Sequence, residues 1–308
     1  MISEEMKNGT VRIGFIGAGK MATALIKGLL KEGVPAESIS AGRRHTSPAT
    51  ESLEASGVFV TPDNGEAAAR SDIIVLAVKP KDLPAVLAEL SSEKMKQYAS
   101  PEAMSKKLFI SIAAGVTTEK IESSLAPSLS SSISSFLSSS DSAAPGISKA
   151  RVIRVMPNIC ATVSESASAL AAGKNATPED MKTALDIFSS IGKALETKES
   201  LIDAVTGLSG SGPAFIFQII EAMADGGVAA GLDRKTAQTL ATQTVLGSAK
   251  MVLETGEHPG VLKDMVCSPA GTTIEGVRTL EEAGIRAAFM NAVISAAERS
   301  AELGRKSA

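Results

Sequence analysis

Between residue 11 and about residue 115, short runs of β-branched and other apolar residues alternate with stretches whose apolar positions recur every three to four residues. The first kind suits strands buried on both faces and the second suits helices with one buried stripe. Their alternation predicts βαβ units feeding a parallel sheet. Strands are expected at 11–16, 38–42, 58–61, 73–78 and 108–113. Over 21–31, Met21, Ala24, Leu25 and Leu29 keep helical spacing, and Gly33 follows where a helix stop is expected. The order predicts a doubly wound fold. Two more strands are expected at 151–155 and 167–171, then a helix capped by Thr177, with Pro178 at its first position and Asp180 near its start. Beyond Glu199 the strand pattern stops, and 200–308 reads as almost wholly helical. The segment 236–255 is an example, with Ala237, Leu240, Ala241, Val245, Ala249 and Val252 at helical spacing. Its many small residues permit close packing, and much of its apolar surface is expected to lie against a second subunit.

One stretch breaks the alternation. Ten of the fifteen residues from Ser128 to Ser142 are serine, too little apolar area to offset the entropy of ordering. A surface loop is expected over about 123–148. No window reaches eighteen uninterrupted apolar residues, and the first ten residues lack a signal-peptide core, so neither membrane insertion nor export is expected. The most apolar helical stretch, 214–232, is interrupted by Gln218, Glu221 and Asp225 and reads as core or dimer interface.

Composition narrows the chemistry. The 308 residues carry 31 Lys and Arg against 34 Asp and Glu, a net charge of −3 that gives no electrostatic grip on nucleic acid. The two cysteines, Cys160 and Cys267, are far apart and build neither a disulfide framework nor a zinc site, which points to a reducing, cytoplasmic setting and to no bound metal. With only His45 and His258, most metal-hydrolase and Ser-His-Asp arrangements are excluded.

The first candidate site follows the first strand. Gly17-Ala18-Gly19-Lys20-Met21-Ala22 is a GxGxxA pattern set between a strand and a helix. There Gly17 permits the turn, Gly19 lets backbone approach a pyrophosphate, Ala22 lets helix and strand pack closely, and the helix start offers N–H groups to phosphate. The second strand ends in Gly42-Arg43-Arg44, where NAD sites present an acid to the ribose. Two guanidiniums suit a 2′-phosphate instead, so NADPH is the expected cofactor and NADH the weaker one. A pair of solvated surface arginines is the plainer alternative. Ala77-Val78-Lys79-Pro80 and Ala113-Ala114-Gly115 fall at later strand ends, where open sheets bind ligands.

A second constellation lies in the helical half. Leu208-Ser209-Gly210-Ser211-Gly212-Pro213 and Cys267-Ser268-Pro269-Ala270-Gly271-Thr272-Thr273 each place hydroxyls and glycines before a helix. The amides and hydroxyls of Gly271, Thr272 and Thr273 could hold a small carboxylate at a helix start. Ordinary capping would use the same residues. Cys267 has no local base to make a thiolate, and His258 reads as a surface residue in a turn.

Taken together, Phe15-Ile16-Gly17-Ala18-Gly19-Lys20-Met21, Ala77-Val78-Lys79-Pro80, Arg151-Val152-Ile153-Arg154-Val155-Met156-Pro157-Asn158, the run from Asp203 through Thr206-Gly207-Leu208-Ser209-Gly210-Ser211-Gly212-Pro213 to Ala214, and Ser268-Pro269-Ala270-Gly271-Thr272-Thr273 resemble the pyrroline-5-carboxylate reductases, from about Val11 to Glu302. The resemblance implies an α/β chain, with an N-terminal Rossmann-like doubly wound sheet at 1–199 followed by an all-α C-terminal dimerisation and substrate domain at 200–308. It implies reduction of 1-pyrroline-5-carboxylate to L-proline, the last step of proline synthesis, by a homodimer that often assembles into decamers. Carried over residue by residue, it implies carboxylate binding by Gly271, Thr272 and Thr273. The Thr273 hydroxyl would lie near the ring nitrogen, Glu199 and Ser268 near the substrate, and Arg43 and Asn64 near the cofactor. Thr273 and Ser268 are the candidate catalytic residues. The cofactor set is Gly17, Ala18, Gly19, Lys20, Met21, Arg43, Arg44, Asn64, Ala77, Val78, Lys79, Pro80 and Ala114. Two departures stand out: Met265 occupies a position where many members have asparagine near the cofactor, and the serine-rich stretch has no counterpart in the short forms.

The nearest rival is a β-hydroxyacid dehydrogenase, which needs a catalytic lysine in the helical half; Lys235, Lys250 and Lys263 belong to no recognisable motif there. A second rival is an NADPH-binding regulatory dimer without turnover, against which the intact substrate loop argues.

Overall fold

The computed structural model describes residues 2–125 and 150–307. The expected serine-rich loop lies outside the described residues from 126 onward, while residues 123–125 close a helix that runs over 118–125. The chain forms two compact units, one reaching to Gly210 and joined by the residues from Ala297 onward, the other Ser211–Ala296.

The first unit is built on an eight-stranded sheet in the order β3-β2-β1-β4-β5-β6-β7-β8. The strands are β1 (Ile13–Ile16), β2 (Ile39–Gly42), β3 (Phe59–Thr61), β4 (Ile73–Leu76), β5 (Leu108–Ser111), β6 (Arg151–Met156), β7 (Ser166–Ala172) and β8 (Gly192–Glu196). The pairs from β3 through β6 are parallel; β6 meets β7 antiparallel, and β7 pairs β8 in parallel. Strand order reverses between β1 and β4, the switch point at which such sheets open a crevice for a ligand.

Alternation along the strands fills both faces. Ile13, Phe15, Val75, Ile110, Ile153 and Val155 pack with Leu25, Ile26 and Leu29 of the helix Lys20–Lys31 and with Ile187 and Phe188 of the helix Pro178–Ser189. Ile16, Ile74, Leu76, Phe109 and Val152 pack on the other side with Val86, Leu87 and Leu90 of the helix Leu83–Leu90 and with Ile121. The helix at Pro178 starts with a reciprocal cap: the Asp180 N–H donates to the Thr177 hydroxyl and the Thr177 N–H to the Asp180 carboxylate. Strand β8 was not expected from the sequence. Its five residues are mostly exposed and open with Gly192, so no buried run marks them.

The second unit contains the helices Gly212–Ala229, Arg234–Thr255, Pro259–Val266 and Thr272–Glu282, and the first part of Ile285–Ser307. Its cluster of buried apolar residues consists of Ala224, Ala237 and Ala241. Phe217 at 59% and Leu253 at 72% exposure remain uncovered, and an open groove of about 860 Å³ runs along the first two helices past Phe217, Glu221 and Gln238. Among the described residues, no helix is long and apolar enough to cross a membrane.

Candidate functional site

Register places Gly42, Ile16, Leu76, Ser111 and Arg154 in one row across β2, β1, β4, β5 and β6. The residues that follow them form the carboxyl edge of the sheet, so the segments starting at Arg43, Gly17 and Ala77 emerge side by side. Gly17 has φ +100, and a Cβ there would come within 2.9 Å of the Ala77 carbonyl oxygen and Val78 Cγ1. A Cβ on Gly19 would meet nothing within 4 Å. The fold therefore demands the first glycine, and the second leaves space beside the backbone. Gly19 is also the N-cap of the helix Lys20–Lys31 and brings no side chain to it, so the helix start is open to an anion. Ala22 is fully buried against the sheet, as close helix packing requires.

On the β2 side, Arg43 bonds the Thr46 hydroxyl and reaches Glu54 Oε1 at 3.4 Å. Arg44 pairs with Asp82 at 3.1 Å. Both guanidiniums thus have carboxylate partners that sequence reasoning missed, since neither acid lies in a motif. Asn64 stands against Gly42 and donates to Glu89 at 2.8 Å. The buried polar side-chain atoms without a partner, among the described residues, are Thr23 Oγ1 and Arg43 Nε. Both belong to the segments on which a dinucleotide phosphate would lie. The space at Gly19, the open helix start and the orphaned Arg43 nitrogen fit a dinucleotide carrying a 2′-phosphate. Ala77 and Val78, just after β4, border Gly17; Lys79 and Pro80, which follow them, are exposed, as is Ala114 after β5.

Glu199 takes an inward position in the first unit. Its Oε1 accepts from the Thr118 N–H at 2.8 Å and pairs with Arg154 at 3.3 Å, and its Oε2 accepts from the Thr118 hydroxyl at 2.6 Å. Arg154 lies on β6 with a side chain only 7% exposed. Burial pushes the nearby Glu122 carboxyl up, and the charge of Glu199 adds to that. A cation inside the apolar run Val152-Ile153-Arg154-Val155 was the sequence signal for this network, because a buried charge requires a counter-ion.

In the second unit, the loop from Cys267 turns at Ala270, φ +53, into the helix Thr272–Glu282. The Gly271 N–H donates to the Ser268 carbonyl oxygen at 3.0 Å. A Cβ on Gly271 would lie 2.2 Å from Ser268 Oγ, so the Ser268 hydroxyl closes over this glycine and would have to rotate away from any side chain placed there. Gly271 is the N-cap and gives the helix no side-chain cap, which leaves the first N–H groups beside the Thr272 and Thr273 hydroxyls. Met265, 70% exposed, lies in the last turn of the preceding helix Pro259–Val266. Lys250 and Lys263, which a dehydrogenase of the rival kind would need for catalysis, pair with Glu254 at 3.6 Å and Asp264 at 3.1 Å on exposed helix faces.

Comparison with known proteins agrees with both halves. Residues 12–115 match the family described as NADP oxidoreductase coenzyme F420-dependent, and residues 199–303 match Pyrroline-5-carboxylate reductase dimerisation. A pyrroline-5-carboxylate reductase of Methanosarcina acetivorans is 56% identical over 297 residues, 96% of this chain and 98% of the relative. Among solved structures, a pyrroline-5-carboxylate reductase from Coxiella burnetii superposes with a TM-score of 0.80 at 33% identity, covering 96% of this chain and 98% of the other. The Plasmodium falciparum pyrroline carboxylate reductase with NADP bound does so at 0.77 and 31%, covering 96% and 99%. The glycine cradle and the helical half are thus found together, in the same order and over the same length, in relatives of one kind, and the chain belongs to the pyrroline-5-carboxylate reductase family of NAD(P)H-dependent oxidoreductases acting on carbon–nitrogen bonds.

Proposed function

We propose that this chain reduces 1-pyrroline-5-carboxylate to L-proline with NADPH in preference to NADH, as a cytoplasmic homodimer whose dimers assemble further into decamers. The observation that carries the reading is the loop at 268–273, a glycine-capped helix start flanked by hydroxyls, in a chain that also holds a dinucleotide cradle. The substrate carboxylate is held by the open N–H groups at Thr272 and Thr273, where the helix dipole favours negative charge, and Gly271, whose own N–H is turned to the Ser268 carbonyl oxygen, shapes the turn that presents them. The Thr273 hydroxyl orients the ring nitrogen, and Ser268, closing over Gly271, fixes the loop that carries both.

The cofactor is held by the segments 17–21, 43–44 and 77–80, by Asn64 and by Ala114. When bound, it supplies the hydride that ends on C5 of the ring. The ring nitrogen enters as a protonated imine and leaves as a secondary amine, its positive charge cancelled by the hydride. No protein acid or base is required at that step, in keeping with a chain that has two histidines. What the residues contribute is alignment.

Spectrophotometric loss of NADPH on adding 1-pyrroline-5-carboxylate tests the reading directly. Thr273→Ala should lower kcat/KM for the imine by roughly 100-fold, the scale of a lost alignment. No turnover by the unaltered chain, or an unchanged kcat/KM in the variant, would overturn the assignment or the role of Thr273 respectively.

A further inference from the structure

Family resemblance brings Glu199 near the substrate, yet both of its oxygens are already engaged inside the first unit. Thr118 donates twice, at 2.8 and 2.6 Å, and Arg154 approaches at 3.3 Å. Arg154 pairs with Ser111 in the row that ends β1, β4 and β5 at Ile16, Leu76 and Ser111, level with the start of the loops that follow those strands. Thr118 ends the segment that leaves β5 through Ala113, Ala114 and Gly115, and it opens the helix 118–125.

The same segment is held from a second side. Gly115, φ +73, packs on the C-terminal helix, where an added Cβ would lie 3.6 Å from Gly304 Cα. That helix is tied back to the chain just beyond Glu199, because the Ser300 hydroxyl donates to Asp203 Oδ1 at 2.6 Å. Glu199 to Thr118, Asp203 to Ser300 and Gly304 to Gly115 close a ring of contacts around the residues 113–118, which have no strand partner of their own beyond Ser111.

We propose that Glu199 is a positioning residue: paired with Arg154, it fixes the loop at 113–118 along the cofactor edge and does not touch the substrate. The proposal rests on the reductase reading above. Its carboxylate supplies the counter-charge without which a buried guanidinium would draw solvent or shift, and either movement displaces the loop that carries Ala114.

The test compares Glu199→Gln, Arg154→Gln and the double variant, reading NADPH affinity by fluorescence titration and, separately, kcat and KM for the imine. Glu199→Gln keeps the shape but leaves Arg154 without its counter-charge, so the NADPH Kd should rise roughly tenfold or more while the KM for the imine stays within about twofold. The double variant removes both charges and should recover most of the lost NADPH affinity. A raised imine KM at unchanged NADPH Kd would overturn the proposal, and so would a double variant no better than Glu199→Gln. Should Glu199→Gln fail to fold, Thr118→Val decides in its place. It removes the 2.6 Å hydroxyl bond and leaves the ion pair, and it should raise the NADPH Kd in the same direction by a smaller factor. An unchanged Kd for Thr118→Val counts against the clamp. Failure of the reductase reading is separable, because it abolishes imine turnover in the unaltered chain while the NADPH titrations still report the loop.

Discussion

The two glycines of the cradle have different work, and one pair of substitutions separates them. Gly17→Ala puts a side chain at φ +100, with its Cβ 2.9 Å from both the Ala77 oxygen and Val78 Cγ1. The dihedral costs on the order of 1–3 kcal/mol. The overlap with a β4 backbone that cannot retreat adds roughly another 1–3 kcal/mol. At roughly 2–4 °C per kcal/mol, the melting temperature should fall by on the order of 10 °C. Gly19→Ala is the opposite case. Its backbone, φ −80 and ψ −175, suits any residue, and its Cβ meets nothing within 4 Å. The melting temperature should hold or rise slightly, because alanine narrows the unfolded ensemble. The methyl now stands where a pyrophosphate must approach, and an intrusion worth roughly 1–3 kcal/mol weakens NADPH by about tenfold to a hundredfold. Thermal unfolding without cofactor and fluorescence titration with NADPH measure the two quantities on the same preparations. A Gly19→Ala protein that binds NADPH normally, or that melts as early as Gly17→Ala, would refute the division of labour.

Two further outcomes follow from charges near the cradle. Arg43→Glu replaces the guanidinium beside Glu54 with a second negative charge; the NADPH Kd should rise by about 100-fold while that of NADH changes only a few-fold, the loss of a charge-assisted phosphate contact, and equal losses in paired titrations would remove the 2′-phosphate argument. The Tyr98 hydroxyl donates to Asp63 at 2.6 Å and, with the N–H groups of Glu66 and Gly65, holds that carboxyl below its usual range; such a group stabilises the fold above its unfolded pKa of about 3.9 and loses that contribution as pH falls through the folded value, so Tyr98→Phe should melt earlier at neutral pH and converge with the parent in acid, and a gap that persists in acid would place its origin elsewhere.

How much of this was legible in the chain depends on whether the signal was local. The five strands expected before residue 115 are present at 13–16, 39–42, 59–61, 73–76 and 108–111; the first three start one or two residues later than expected, and the last two end two residues earlier, where Ala77 and Ile112 already leave the sheet. The reciprocal cap at Thr177 and Asp180 was readable because all of its parts lie within four residues. Non-local features were not. Strand β8 is held by its pairing with β7 and not by its own composition. Glu54 and Asp82 meet Arg43 and Arg44 only through the fold, and Glu199 meets Thr118 across 81 positions of chain. The motif at 268–273 marked a place for an anion, but its spacing could not distinguish a binding loop from a cap; that the N-cap falls on Gly271, which has no side chain, and not on Ser268 is visible only in three dimensions.

The helical unit raises a question of stability that bears on the site it carries. Among the described residues its buried apolar cluster is three alanines, while Phe217, Leu240, Leu246, Leu253, Met265 and Met290 stand exposed. Ordering each residue costs roughly 1–2 kcal/mol in backbone entropy alone. A large apolar side chain offsets that by about 1.5–3 kcal/mol only when it is buried. Three alanines cannot balance helices of this length, so the exposed set must find cover, and a second copy offers a surface of the same composition. The match of 199–303 to a dimerisation family names that cover. The loop at 268–273 lies within this unit, so the geometry of its open helix start is only as firm as the subunit association that buries its neighbours. Ordering the loop at 268–273 and pairing the subunits are then parts of one equilibrium, so the carboxylate site proposed there would form only as firmly as the dimer that carries it.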